Sequence, residues 1–225
     1  MTKFRILTGL LLLLGGGSAA NAADLGIAPA PVAPDSFWDG FYAGIHAGAG
    51  GGATDKYFTS TGEFRNAWDL SGGLVGVHAG AATSIDQLVL GVEADLDFAN
   101  ITGDDAGNGD ATETITIGTQ ASLRGRLGYD AGGLLFYATA GLAVADVTAT
   151  SVLDFAPFTS NEESQLYVGW TAGLGLEARV SDAWSIGAEY RYTDLGDRDF
   201  AWPDFTDATY DLTSHAVRAR ASYHF

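Results

Sequence analysis

Apolar and polar residues alternate with a period of two along most of the chain. In residues 87–98, Leu88 and Leu90 share one parity with other apolar residues, whereas Glu93 and Asp95 occupy the opposite parity. The same alternation recurs in seven further segments, at residues 40–50, 72–83, 115–129, 134–147, 166–180, 184–192 and 217–225. Period-two alternation is typical of β-strands whose two faces meet different surroundings. The sequence therefore predicts an all-β fold with eight strands.

The segments between these strands alternate in length. Short turns are predicted near residues 84–86, 130–133 and 181–183, and long loops near residues 51–70, 99–113, 148–163 and 194–212. Outer-membrane barrels combine short periplasmic turns with long extracellular loops. The clear strands carry a continuous apolar face, on which Ile115 and Ile117 are placed. We therefore predict an eight-stranded antiparallel transmembrane β-barrel whose apolar face points outward to lipid.

A soluble β-sandwich or lipocalin-like barrel would also alternate, but it would bury its apolar face and expose its charges. Aromatic residues toward the ends of the apolar face favour the membrane barrel, because such residues form belts at the two lipid–water interfaces. The predicted interfacial aromatics are Phe41, Phe98, Tyr129, Phe136, Trp184, Tyr192 and Tyr223.

The N-terminal residues have the features of an export signal. Lys3 and Arg5 precede an apolar stretch at residues 6–14, and Ala20 and Ala22 provide a small-x-small cleavage pattern. The apolar stretch is shorter than the roughly 20 residues that a membrane-spanning helix needs. The predicted domains are a signal peptide at residues 1–22, a Pro-rich periplasmic tether at residues 23–36 and an outer-membrane barrel at residues 37–225.

The composition limits the classes of function. Eleven Lys and Arg residues against 28 Asp and Glu residues give a formal net charge of -17. This charge argues against nucleic-acid binding, because phosphates would repel such a chain. The chain has no Cys, which excludes disulfides, thiol nucleophiles and Cys-ligated metal sites.

The inward parity of the predicted barrel concentrates charge. Its residues are Glu93, Asp95, Asp97, Arg124, Arg126, Glu177, Arg179, Glu189, Arg191, Arg218 and Arg220, which leave one positive charge unbalanced. Charges buried to this degree must pair, because an isolated buried ion costs several kcal/mol. An eight-stranded barrel is just wide enough for side chains to fill it. We therefore expect a salt-bridged plug, with a selectivity filter as the alternative.

The other candidate chemistry is sparse. The acidic loops are expected to be solvated surface, although residues 104–110 have a partial resemblance to a calcium loop. Tyr57, Tyr210 and His215 are loop or loop-edge candidates for haem or metal binding, but no ligand spacing supports them. The outward faces carry almost no polar residues, so no catalytic residue, cofactor or metal site is predicted.

Two motifs carry a family resemblance. Phe37-Trp38-Asp39-Gly40-Phe41-Tyr42-Ala43-Gly44 resembles the W-x-G-F-Y-x-G opening of a small outer-membrane β-barrel family. That family includes opacity-type porins and alphaproteobacterial immunogenic surface proteins. Gly187-Ala188-Glu189-Tyr190-Arg191-Tyr192 resembles the G-x-E-Y-R-Y pattern of its penultimate strand. The resemblance covers residues 37–225 and implies a surface-exposed barrel in a Gram-negative outer membrane, with no catalytic residues to transfer.

The resemblance also implies partners. The terminal Phe225 looks like the signal by which the barrel-assembly machinery recognises its clients. Outer-membrane lipid and lipopolysaccharide are the other expected partners. We expect a structural role in the envelope, with a small-solute porin as the first alternative and a loop-borne receptor for haem or a cation as the second.

Overall fold

The structure, a computed structural model, describes residues 36–58, 61–105, 111–153, 160–200 and 208–225. Its strands are β1 (Gly40–Phe58), β2 (Phe64–Ile85), β3 (Leu88–Asp105), β4 (Ala111–Asp130), β5 (Leu134–Leu153), β6 (Ser160–Arg179), β7 (Trp184–Phe200) and β8 (Ala208–His224). Consecutive strands pair antiparallel and β8 pairs with β1, so the sheet closes into a barrel. The predicted eight-stranded antiparallel barrel is confirmed.

Residues 1–35 lie outside the described residues, and with them the predicted signal peptide and nearly all of the predicted tether. The described residues contain no helix that is long and apolar enough to cross a bilayer.

The three turns at one end of the barrel are tight. β2 and β3 are joined by two residues, of which Asp86 has a positive φ of 55°. Between β4 and β5, the Asp130 carboxylate accepts hydrogen bonds from the backbone N–H groups of Gly132 and Gly133, at 3.0 and 2.8 Å. Both glycines have φ above 80°, a conformation that other residues rarely adopt.

The strands extend well into the segments that we predicted as long loops. β1 continues to Phe58 and β2 begins at Phe64, so most of residues 51–70 is strand. The same holds for much of residues 99–113, 148–163 and 194–212. The loop prediction is therefore wrong for these residues. It failed because most of the side chains buried inside this part of the barrel are apolar, as in a soluble β-protein, so the sequence lacks the outward apolar rows of the lipid-facing part.

A β-bulge in β4 produces part of this reversal. Gly118 and Thr119 together face the single residue Asp146 of β5. The extra residue changes the parity of the strand. As a result, Ile115 and Ile117 are buried inside the barrel, 1% and 0% exposed, and their predicted outward placement is wrong.

The upper part of the barrel, away from the tight turns, divides into two sheets. Within the described residues, the β2–β3 ladder ends at Ser71 and Thr102, and the β6–β7 ladder ends at Trp170 and Asp194. The other six ladders continue to the upper strand ends. The first upper sheet therefore comprises β7, β8, β1 and β2, and the second comprises β3, β4, β5 and β6.

An apolar layer fills the space between the two upper sheets. Its buried members are Leu70, Ile101, Ile115, Ile117, Ala145, Val147, Ala149, Tyr167, Leu195, Tyr210 and Leu212. Two sheets packed over a shared apolar core are the arrangement of a β-sandwich. We call this part of the molecule, two sheets with their apolar layer, the upper sandwich.

Candidate functional site

Below the apolar layer, the barrel interior holds a buried layer of paired charges. Five carboxylates face five guanidiniums: Glu93, Asp95, Asp97, Glu177 and Glu189 with Arg124, Arg126, Arg191, Arg218 and Arg220. We call these ten residues the ion-pair layer. They come from five strands, and their formal charges cancel.

Glu93 holds the centre of the ion-pair layer and is 1% exposed. Its Oε1 accepts from Arg124 at 2.5 Å, and its Oε2 accepts from Arg220 at 2.6 Å. The Tyr42 hydroxyl donates to Oε2 at 2.9 Å. One carboxylate on β3 therefore ties β1, β4 and β8 together across the interior.

Two more carboxylates extend the connections to β7. Asp95 accepts from Arg191 at 2.7 Å and from Arg124 at 3.0 Å. Glu189 accepts from Arg191 at 2.9 Å, from Arg124 at 3.0 Å and from Arg220 at 3.2 Å. Each arginine fork thus serves more than one carboxylate, as expected of a planar guanidinium.

The remaining carboxylates pair toward the two edges of the layer. Glu177 accepts from Arg126 at 2.5 Å on the turn side, and the Ser185 hydroxyl also donates to it. Asp97 accepts from Arg218 at 2.8 Å on the upper side. Glu177 and Arg218 therefore pair with different partners within one continuous layer.

The predicted eleventh member, Arg179, lies elsewhere. Its side chain is 43% exposed and pairs with Asp182 in the β6–β7 turn at 2.6 Å. Its guanidinium also stacks 4.9 Å from the Phe37 ring centroid. Arg179 shares the inward parity but is the last residue of β6, where side chains leave the interior. Its loss from the layer removes the unbalanced positive charge that the sequence suggested.

A pair of histidines borders the ion-pair layer on β1 and β2. Nε2 of His46 forms a hydrogen bond with the Asp97 carboxylate. Nδ1 of His46 lies 3.2 Å from Nδ1 of His78. On its other side, the His78 ring places Nε2 3.0 Å from the Ser222 hydroxyl oxygen. One arrangement of protons satisfies this whole chain with both rings neutral: the Ser222 hydroxyl donates to His78, His78 to His46, and His46 to Asp97.

Glycine leaves the space that these rings occupy. A Cβ atom at Gly76 would lie 2.5 Å from Nε2 of His46, and one at Gly44 would lie 2.6 Å from the His78 ring. Both histidines lie on the inward parity of their strands, but the alternation does not indicate that they contact each other. The run of inward glycines on the same two strands was the available signal.

An aromatic seal closes the interior at the turn side. Trp38 is 2% exposed, and its ring centroid lies 5.5 Å from that of His224 and 4.8 Å from that of Phe37. Val89, Leu135 and Tyr137 complete this buried cluster. The residues that carried the family resemblance thus also fill the turn-side mouth.

Little space remains within the ion-pair layer. A cavity of about 10 Å³ lies among His46, His78, Glu93, Arg124, Glu189, Arg191, Arg218 and Arg220. That volume corresponds to about one water molecule. Within the described part of the chain, no cluster of three or more His, Asp or Glu side chains is placed to hold a metal ion.

The outer wall carries two levels of aromatic side chains. Near the turns, Tyr129 pairs across the ladder with Phe136, and Trp184 pairs with Tyr223. Phe41 and Phe225 are exposed on the same side, 71% and 73%. At the other level, Phe98 and Tyr192 are joined by Trp170, whose ring lies 5.3 Å from Tyr192 and which the sequence reasoning did not select.

The two aromatic levels have a spacing suited to a membrane. On β7, Trp184 and Tyr192 are separated by eight residues, which span about 27 Å of strand. Strand tilt reduces this to about 20 Å along the membrane normal, close to the apolar height of outer-membrane barrels. The upper sandwich therefore lies beyond the lipid.

The outer wall of the upper sandwich is acidic on β1, β7 and β8. The pKa of Asp211 is raised, mainly because burial disfavours its charged form and also because the negative charges of Asp194, Asp197 and Asp55 repel it. These carboxylates crowd one another on a surface that faces water. Of the residues in the partial calcium-loop match, 106–110 lie outside the described residues.

Relatives of the chain are outer-membrane proteins. The chain is 33% identical to the 31 kDa outer-membrane immunogenic protein of Brucella melitensis, over 92% of this chain and 94% of that protein. It is 35% identical to the 22 kDa outer membrane protein of Rhizobium leguminosarum, over 76% of this chain and 71% of that protein.

A solved structure shares the fold. The outer membrane protein OprG from Pseudomonas aeruginosa superposes with a TM-score of 0.51 at 13% identity, covering 83% of this chain and 97% of that one. The family described as "Outer membrane protein beta-barrel domain" matches residues 9–225. The chain therefore belongs to this family of outer-membrane β-barrel proteins.

Proposed function

We propose that the protein is a structural, surface-exposed barrel of the outer membrane whose interior does not conduct ions or solutes. The neutral ion-pair layer is the observation that carries this proposal. Five carboxylates and five guanidiniums fill the lumen at one level, and the space left among them is about 10 Å³. The aromatic seal below and the apolar layer above add two further barriers.

The competing function is a small-solute pore. A pore needs a continuous hydrated path, whereas ions crossing this interior would have to break buried ion pairs and then pass an apolar layer. We also infer that the protein is not an enzyme, because the charged side chains of the ion-pair layer are engaged with one another rather than aimed at an open cleft.

Conductance separates the two functions. The purified barrel, reconstituted in planar bilayers in concentrated potassium chloride, is expected to show no stable conductance steps. An open general porin inserted in the same bilayers serves as the positive control. Steady steps that scale with salt concentration, recorded from protein that migrates as a folded barrel, would establish the pore and refute the closed interior.

We further propose that the barrel-assembly machinery recognises Phe225 during membrane insertion. Its ring is exposed to the lipid side, while its backbone N–H donates to the Phe41 carbonyl at 3.0 Å and so closes the barrel. Outer-membrane lipid and lipopolysaccharide are the proposed surroundings of the finished barrel.

Phe225→Asp is expected to slow insertion at least several-fold in cells, measured as the rate at which the heat-modifiable folded band appears. Phe41→Asp is the matched control, because it places the same carboxylate on the same aromatic level, on the neighbouring β1 strand, and leaves the C-terminal residue unchanged. Equal slowing in both variants would show that only lost lipid contact matters and that Phe225 carries no assembly signal.

A further inference from the structure

The upper sandwich differs from the barrel below it in how its two halves are joined. Below, eight hydrogen-bonded ladders close the wall. Above, within the described residues, the β6–β7 ladder stops at Trp170 and Asp194, although β6 continues to Ser160 and β7 to Phe200. The two sheets can therefore separate along this edge without breaking a backbone ladder.

The end of the ladder has a local cause. Asp194 and Gly196 of β7 face Thr213 and Leu212, which are consecutive on β8, so Leu195 is the extra residue of a bulge. Gly196 adopts a φ of 67°, and Leu195 turns inward, where it is 2% exposed. The bulge thus directs an apolar side chain into the sandwich at the level where β7 leaves β6.

Above this level, side chains connect the two sheets. Along the open edge, the Gln165 side-chain amide donates to the Asp199 carbonyl at 2.9 Å. Farther inside, Lys56 of the first upper sheet pairs with Glu113 of the second at 2.5 Å, and the Tyr210 hydroxyl donates to Glu113 at 3.2 Å. Side-chain hydrogen bonds are individually weaker constraints than a continuous ladder.

The interior of the upper sandwich also contains two hydroxyl groups without a hydrogen-bond partner. Thr54 and Ser151 are buried, with 0% and 2% of each residue exposed, and their hydroxyl groups are the two in question. They come from opposite sheets: Thr54 lies on β1, two residues before Lys56, and Ser151 faces Glu113 across the β4–β5 ladder. A buried hydroxyl without a partner requires an explanation, such as a bound molecule.

We propose that the upper sandwich is a binding site for small, uncharged, mainly apolar molecules that carry one polar group. Such a molecule enters from outside the cell through the β6–β7 edge as the sheets separate. Its apolar body replaces contacts between the sheets, and its polar group bonds to Thr54 or Ser151. A charged molecule is excluded by the apolar layer, and passage farther inward is blocked by the ion-pair layer.

Cysteine labelling tests access, since the natural chain has no Cys. Ala149→Cys places a thiol in the apolar layer, and Ser222→Cys places one at an equally buried position inside the closed barrel. In outer-membrane vesicles, N-ethylmaleimide is expected to react with Ala149→Cys at least tenfold faster than with Ser222→Cys. A sulfonated maleimide is expected to react slowly with both.

Equal protection of the two thiols would overturn the proposal, and so would fast reaction of the sulfonated reagent, which would indicate a water-filled opening. Heat-modifiable migration verifies that each variant is folded.

The route is tested by Gln165→Ala, which should speed the labelling of Ala149→Cys several-fold. Thr148→Ala is the matched control, because Thr148 bonds to Ser164 at 2.8 Å across the continuous β5–β6 ladder. An unchanged rate in Gln165→Ala contradicts entry at the β6–β7 edge.

Competition tests the class of ligand. Excess 2-naphthol is expected to slow the labelling of Ala149→Cys more strongly than excess naphthalene, because it can bond to a buried hydroxyl. Adding Thr54→Val and Ser151→Ala should remove the advantage of 2-naphthol and leave the effect of naphthalene intact. If neither compound slows labelling, the upper sandwich opens without binding and the proposed site does not exist.

Discussion

Glu93→Gln is expected to lower the free energy of unfolding by about 3–5 kcal/mol, the usual consequence of breaking a buried ion pair. Glu93 bonds to Arg124 and Arg220 through different oxygens, and all three side chains are almost completely buried. Glutamine keeps the shape but removes the negative charge, so the ion-pair layer gains a net positive charge away from water. Urea-induced unfolding of the barrel in lipid vesicles measures the loss.

Two variants show whether that loss comes from charge balance. The double variant Glu93→Gln with Arg220→Gln restores neutrality and should recover part of the stability, because contacting residues are not additive. Glu63→Gln, an exposed change of the same chemistry, should alter stability by no more than about 0.5 kcal/mol. A double variant as unstable as the sum of its single variants would contradict the charge-balance interpretation.

Trp38→Ala is expected to cost about 3–5 kcal/mol, as for other large aromatic side chains removed from a packed core. The side chain is 2% exposed and packs against Phe37 and His224 at the turn-side mouth. Its removal leaves a cavity that opens toward the periplasm. The same unfolding measurement applies, together with faster proton exchange of the His224 ring.

Trp184→Ala is the matched control, since Trp184 is 48% exposed on the outer wall beside Tyr223. It should destabilise the barrel clearly less than Trp38→Ala. A larger loss in Trp184→Ala would mean that the interfacial aromatics, rather than the packed mouth, determine stability at this end.

The sequence was sufficient to predict the membrane-embedded part of the fold. Outward apolar rows such as Leu88 and Leu90, with inward charges such as Glu93 and Asp95, follow directly from period-two alternation in lipid. The short turns also agreed with the strand ends, because glycine and aspartate at Asp130–Gly133 favour tight reversal. Local chemistry determines both features.

The upper sandwich was not predicted, because its apolar side chains face the interior, whereas those of the membrane-embedded part face outward to lipid. Ile115 and Ile117 share the apolar character of the lipid-facing residues, and one extra residue at Gly118–Thr119 decides which face they occupy. A bulge leaves only a weak trace in sequence, so a parity count carried across it assigns the wrong face.

The pairing partners within the ion-pair layer were also beyond sequence reasoning. Inward parity identified Glu177 and Arg218, but the contacts of Arg191 with Asp95 run across the interior rather than along a ladder. Such contacts depend on barrel curvature and side-chain length. The position of Arg179 depended on where β6 ends, and element boundaries are the least certain part of a pattern.

The upper sandwich also determines which residues lie side by side above the aromatic levels of the outer wall. On β8, seven residues separate His215 from Ala208, which corresponds to about 24 Å of strand and about 18 Å of height above the lipid after tilt. β1 and β8 lie side by side over this height although they come from opposite ends of the chain. A molecule that contacts both strands therefore meets residues that are far apart in the sequence, and we expect its binding to be lost when the barrel is unfolded.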